Sequence, residues 1–242
     1  MIRKSFIFLE KISKGKEKLI WQQGIKDWHD FLRAEKVKGI SAKSKSAYDR
    51  KIKEASEALQ TENTEYFQGK LLQKEMWRLY DYFKEDGCFL DIEVDGYGNV
   101  ILVGISDYYN SNFFVKGVNL SVQELERELK KYKMTITFNG GAFDLPKLRK
   151  LGVRFKQVHL DLKPLCVNLG LKGGLKEVEK MLDLRRPEHL YGNPIELWKA
   201  FHASGDKEYL ELLIDYNRED IENLKVIADK VYGKMRENIY KQ

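Results

Sequence analysis

Two hydrophobic rhythms divide the chain. From the start to about residue 86 apolar positions recur at helical spacing: Ile7, Leu9 and Ile12, then Leu19, Ile20, Trp21, Ile25, Trp28, Phe31 and Leu32, broken at Gly15 and Gly24. That spacing predicts short helices forming a small bundle, with Trp21, Trp28 and Phe31 as its core. A second apolar run, Glu65 to Phe83, carries Tyr66, Phe67, Leu71, Leu72, Met76, Trp77, Leu79, Tyr80 and Phe83 and predicts a further helix. Gly87 marks the boundary, so residues 1–86 are expected to be an all-helical region and residues 87–242 a separate domain.

From Cys88 the rhythm changes to alternation. Cys88 to Val94, Val100 to Ser106 and Phe113 to Val115 are separated by the turn-forming runs Asp95-Gly96-Tyr97-Gly98-Asn99 and Asn110-Ser111-Asn112. Such a pattern predicts an antiparallel meander of three strands. Ser121-Val122-Gln123-Glu124 is a capping box that opens a helix through about Tyr132, and Met134 to Phe138 is a buried strand. That strand ends at Asn139-Gly140-Gly141, close to a helix with Pro146 in its first turns. Val158 to Leu162 predicts one more short strand; helices follow from Gly173-Gly174 to Leu184, from Pro194 to about Ala203 and from Asp206 onward. The expected class is α/β, a mixed sheet flanked by helices.

Four acids stand out against this pattern. In Phe89-Leu90-Asp91-Ile92-Glu93-Val94 the period of two sends Leu90, Ile92 and Val94 to one face and Asp91 with Glu93 to the other. Two neighbouring carboxylates repel one another, and a bound divalent cation is the usual relief; an exposed polar sheet face accounts for them equally well. Asp144 follows two glycines past a strand end, where a helix start favours an acid. In Tyr216-Asn217-Arg218-Glu219-Asp220 the i, i+4 spacing puts Tyr216 and Asp220 on one helical face, with Glu219 and Asp215 pointing elsewhere.

Charge sharpens the division. The net charge is +6, but residues 1–84 hold 19 Lys and Arg against 12 Asp and Glu, while the rest hold 24 against 25. A basic flank with a nearly neutral, acid-containing domain suits a polyanion held against metal ions. Lys36, Lys38, Lys43, Lys45, Arg50, Lys51 and Lys53 are the candidate phosphate-contacting surface, and solvated helix faces are the plainer explanation. A helix-hairpin-helix grip on nucleic-acid backbone is a minor alternative, since Lys14-Gly15-Lys16 stands where two glycines are wanted. Cys88 and Cys166 are too few for a disulfide framework or a cysteine zinc site. No apolar stretch approaches the roughly 20 residues that cross a bilayer, and no signal-like segment follows the first residues, so a cytoplasmic protein without membrane association is expected.

Taken together, Asp91-Ile92-Glu93, the Asn139 to Asp144 run ending in Phe-Asp-Leu-Pro, and Tyr216-x-x-x-Asp220 resemble in order and spacing the three motifs of DEDD exonucleases. Those enzymes belong to the ribonuclease H-like superfamily, whose fold uses the element order read above. Residues 88 to about 227 are similar to the YprB-like family of predicted 3′–5′ exonucleases, as are His159-Leu160-Asp161-Leu162 and Gly174-Leu175-Lys176-x-Val178-Glu179. Tyr216 lies four residues before Asp220 and position 215 is Asp, which fits the tyrosine (DEDDy) subtype rather than the histidine one.

The resemblance implies that Asp91, Glu93, Asp144 and Asp220 hold two divalent ions, Mg²⁺ or Mn²⁺, about 3.5 to 4 Å apart. Tyr216 would orient or deprotonate the attacking water, aided by metal, since a phenol with a pKa of about 10 is a poor base at neutral pH. The implied activity is 3′–5′ hydrolysis of single-stranded DNA or RNA. His159 with Asp161 is expected to be a buried structural pair, Phe143 to pack between helix and sheet, and Trp198 with Phe201 to be core. Two alternatives remain: a non-catalytic nucleic-acid-binding module on the same fold, and a structure-selective endonuclease of the same superfamily.

Overall fold

A computed structural model of the chain describes residues 1–187, 190 and 193–241. It divides into two compact units, Met1–Phe83 and Lys84–Gln242.

The first unit is helical: α1 (Lys14–Gln22), α2 (Trp28–Arg33), α3 (Ala42–Gln60) and α4 (Tyr80–Phe83). Trp28 and Phe31 are core as expected, but Trp21 is only half-buried and donates its Nε1 hydrogen to the Lys4 carbonyl at 2.9 Å. Residues 5–12 form turns rather than a helix. The predicted helix from Glu65 to Phe83 breaks into 3₁₀ segments, Thr64–Phe67 and Gln73–Leu79, before α4, because Gly69 turns the chain with φ +73° and Leu72 is extended. Gly15 sits inside the first turn of α1, capped by Ser13, so the glycine hairpin of a helix-hairpin-helix is not formed. The basic run is thinner than its sequence suggests. Lys45 is buried and holds Asp49 at 2.7 Å, Lys51 holds Glu10 at 2.5 Å and Arg50 reaches Glu54, which leaves Lys36, Lys38, Lys43 and Lys53 exposed.

The second unit is an α/β domain around a mixed sheet that, among the described residues, has five strands. These are β1 (Gly87–Val94), β2 (Val100–Ser106), β3 (Ser111–Val115), β4 (Met134–Thr137) and β5 (Val158–Asp161), in the order β3-β2-β1-β4-β5. The meander β1-β2-β3 is antiparallel, whereas β4 and β5 add parallel to β1. Their crossovers run through helices, as parallel pairing requires: α5 (Val122–Leu129) precedes β4 and α6 (Asp144–Leu151) precedes β5. Then come α7 (Leu162–Asn168), α8 (Leu175–Met181), α9 (Pro194–Ser204) and α10 (Lys207–Lys241).

The predicted elements are found with small shifts in their ends, and one helix the spacing did not reveal. α7 starts where the fifth strand was expected to finish; Asp161 caps it by accepting from Lys163 N, and Pro164 suits its first turn. The opening Ser of the capping box accepts from Glu124 N, as expected.

Each face of the sheet buries a different set. Cys88, Leu90 and Ile92 of β1 join Val103, Ile105, Leu125, Leu129 and Leu148 beneath α5 and α6. On the opposite face Leu102 and Val115 meet Trp198 of α9 and Leu213 of α10, so the aromatic pair on α9 packs as expected. Burial of these side chains, at about 25 cal/mol per Å² of apolar surface, drives the assembly. Asp91 and Glu93 therefore lie on the face covered by α10. Both cysteines are free and buried, and burial pushes each thiol up to about 12. Among the described residues no helix is long and apolar enough to cross a membrane.

Candidate active site

The site begins with the alternation of β1. Asp91 pairs across the meander with Gly104 and Glu93 with Leu102, and a register shift follows between Glu93 and Val94. Both acids retain partial exposure on the α10 face. Opposite them Gly104 has no side chain, and α10 fills that space: a Cβ there would collide with Asn217 Oδ1 and Ile221 Cδ1. Close approach of helix to strand is the physical use of a glycine inside a strand. Asn217, wholly buried, donates its amide Nδ2 hydrogen to Asp91 Oδ2 at 2.7 Å and so locks the helix onto the strand.

That docking carries the distant acid in. One carboxylate oxygen from each of Asp91, Glu93 and Asp220 lies within 4.8 Å of the others, although Glu93 and Asp220 are 127 positions apart in the sequence. Tyr216, one turn earlier on α10, is buried on the same side. Asp215 pairs instead with Arg218, and Glu219 accepts from Asn223 Nδ2 at 3.3 Å, so both face away as the helical spacing predicts.

Asp144 arrives by a different route. It is the first residue of α6, 3% exposed, after a loop in which Asn139 takes φ +65°. The ends of β4 and β5 brace this loop. Asp161 accepts from Asn139 N at 2.8 Å and Gly141 N at 3.0 Å, while Thr137 Oγ1 accepts from Gly140 N at 3.1 Å and bonds His159 Nε2 at 2.8 Å. A Cβ at Gly140 would overlap Thr137, so the loop needs glycine there. His159 and Asp161 are thus a structural support, and burial depresses the imidazole to about 4, keeping it neutral. Asp144 lies outside the three-acid triangle, but its charge reaches Asp91 and Glu93. Phe143 departs from the expected packing role: it is 40% exposed, with Lys147 Nζ 4.9 Å from its ring centre.

The electrostatics follow from four acids sharing a recess. Burial, then the charges of Asp220, Asp144 and Glu93, raise Asp91 well above the ordinary carboxylate range. Burial with Asp220 and Asp144 raises Glu93 to about 8. Asp144 reaches about 7 through burial, with backbone N–H groups of Asp144 and Ile92 holding it down, and Asp220 about 6, with Arg186 opposing burial. Tyr216 is also raised, by burial and then by Asp220 and Glu93, so the phenol keeps its proton.

Three contributors had no role assigned from the sequence, although Lys176 and Asn217 lie within the runs that carry the family resemblance. Arg186, on the connection after α8, forms an ion pair with Asp220 and is held by Glu179; Lys176 Nζ stands 4.6 Å from the Tyr216 ring centre; Asn217 ties α10 to Asp91. An isolated glycine within an apolar strand was the available signal for Gly104 and hence for Asn217. Arg186 carries no such local signal.

The family comparison agrees with this architecture. The family model described as RNase_H superfamily matches residues 88–232. Among solved structures the chain is similar to the family B DNA polymerase from the hyperthermophilic archaeon Pyrobaculum calidifontis, at 16% sequence identity and a TM-score of 0.48. That match covers 60% of this chain and only 24% of the polymerase chain. No curated protein matches the sequence.

Proposed function

Because the chain belongs to the RNase_H superfamily, we propose that its acidic recess is the active site of a metal-dependent nuclease that removes nucleotides from the 3′ end of single-stranded DNA or RNA. The observation that carries this reading is the convergence of Asp91, Glu93 and Asp220 oxygens to within 4.8 Å of one another. Partly buried acids brought so close, with raised pKa values, are relieved by a cation that lets them ionise together. The donors are all carboxylate oxygens, hard ligands that fit Mg²⁺ or Mn²⁺ rather than zinc.

In this reading Asp91, Glu93, Asp144 and Asp220 would hold the divalent ions. Such ions, when bound, supply positive charge against the phosphate and lower the cost of ionising a water nucleophile. The protein's own groups do the rest. Asn217 fixes the Asp91 carboxylate by its amide hydrogen bond. Tyr216, protonated because burial and the acids raise its pKa, orients the water through its hydroxyl rather than acting as a base. Lys176, beside the Tyr216 ring, adds a cation that a phosphodiester can meet. The 3′–5′ direction and the tyrosine subtype are supported by the motif order and by Tyr216 standing four residues before Asp220.

The test is digestion of end-labelled single-stranded DNA and RNA, run side by side with Mn²⁺ and with Mg²⁺, against Asp91→Asn. Mononucleotides released from the 3′ end, none from closed single-stranded circles, and loss of at least about 1,000-fold in the variant are expected. Cutting of circles would replace this reading with an endonuclease, and inertness of every substrate with both ions would remove the enzyme altogether.

A further inference from the structure

Arg186 is placed where a cation-binding site would least want a fixed positive charge. Its side chain is 3% exposed. Nε donates to Glu179 Oε2 at 2.6 Å and Nη2 to Glu179 Oε1 at 2.5 Å, while Nη2 also meets Asp220 Oδ1. Asn223 Nδ2 donates to the same Glu179 Oε1 at 3.1 Å, steadying the anchor. The remaining nitrogen, Nη1, is buried and has no hydrogen-bond partner among the described residues. Among the described residues the guanidinium is therefore positioned by two acids, one that anchors it and one that it shares with the recess, and its carbon lies 5.7 Å from the Tyr216 ring centre. Burial acts to lower its pKa, but Glu179 and Asp220 outweigh that and keep it charged.

Asp91 and Asp220 thus differ in what already occupies them. Asp91 accepts from a neutral amide, which adds no charge to the recess. Asp220 faces a full cation held at contact distance, and an arriving divalent ion meets both an engaged carboxylate oxygen and a repelling charge.

We propose that Arg186 is a built-in competitor for divalent cations at Asp220. With metal absent its head group holds the Asp220 carboxylate; occupancy by a divalent ion requires that head group to fall back onto Glu179 alone. Glu179 is the counterweight that makes the withdrawal feasible. The recess is thereby kept compact without metal and made selective for ions strong enough to displace a guanidinium. This inference rests on the reading of the recess as a metal site.

Competition has a signature that structural support lacks, because two substitutions move affinity in opposite directions. Arg186→Gln removes the competitor and its charge, so Mn²⁺ should bind about tenfold more tightly. Glu179→Gln removes the anchor and leaves the guanidinium to Asp220, so Mn²⁺ should bind about tenfold more weakly. Were Arg186 only a prop for Asp220, both changes would weaken binding. The measurement is Mn²⁺ titration of the full chain without nucleic acid, followed by electron paramagnetic resonance of the free ion and by calorimetry. Melting in EDTA gives a second readout: Arg186→Gln should melt lower than the unaltered chain without metal, and added Mn²⁺ should close the gap. If Arg186→Gln does not fold, Arg186→Met, which keeps the apolar stem, carries the same expectation. Failure of the unaltered chain to bind Mn²⁺ overturns the metal-site reading and this inference with it. Binding by the unaltered chain, with neither Arg186 variant tighter, overturns this inference alone.

Discussion

Asp144 shows what a single buried carboxyl does to the molecule. Its folded pKa is raised from an ordinary 3.8 to about 7, and that of Glu93 from 4.5 to about 8. For an acid raised in this direction the folded state binds more protons than the unfolded one between the two values. Stability is then full below the unfolded pKa and is lost as pH rises through the folded one. The metal-free protein should accordingly melt at progressively lower temperature from about pH 4 to pH 8, in EDTA, and Mg²⁺ or Mn²⁺ should reverse the loss at the upper end. Asp144→Asn removes one of these charges. Scanning calorimetry at pH 8 should find it more heat-stable than the parent without metal, by roughly 2 to 4 °C for each kcal/mol relieved, while nuclease activity is abolished. On the proposed reading function and stability oppose one another at this residue, as expected where acids are gathered for chemistry.

At the scale of elements the decisive contact is α10 against β1 and β2. A helix can lie close to a strand only where side chains leave room, and Gly104 provides that room beneath Asn217 and Ile221. Gly104→Ala should therefore cost about 1–3 kcal/mol by overpacking, measured by urea unfolding. It should also reduce Mn²⁺-dependent digestion far more than the stability loss explains, because displacement of α10 takes Asp220 and Tyr216 away from Asp91 and Glu93 together. The Asp144 wall of the recess is built differently. The loop before α6 is tied by Asp161, Thr137 and His159 at the ends of β4 and β5, so Asp144 is aimed by parallel strands while Asp220 is aimed by a long helix.

For the whole molecule, the charge asymmetry supports the proposal that residues 1–86 contact nucleic acid outside the chemistry. Lys36, Lys38, Lys43 and Lys53 are the exposed lysines of the basic run. Replacing these four together by Gln should weaken single-strand binding and lower the slope of log affinity against log salt by about 3, from the roughly 0.7 counterions released per phosphate contact. Hydrolysis of saturating substrate should be retained, since no site acid is touched; an unchanged salt slope would reduce the lysines to solvated helix surface.

How much was legible follows from how local each signal is. Helical and strand periodicities, turn residues and caps act over a few residues, and they located the meander, β4, β5 and every described helix of the α/β domain except α7. They placed Asp91 with Glu93 on one strand face and Tyr216 with Asp220 on one helix face, because both pairings are set by backbone period alone. The same signals misread residues 65–83 as one helix, since apolar residues fill a 3₁₀ path as readily as an α-helical one, and they passed over α7 because its seven residues lie hard against a strand. The meeting of Asp220 with Asp91 could not be read from any window of the chain. It depends on α10 crossing the sheet at Gly104, and on Arg186, which no repeat or spacing connects to Asp220. Chain sequence determined which chemical groups were available and which faces they occupy; tertiary packing decided which of them share one desolvated recess, because only there do mutual charge and lost water act on all of them at once.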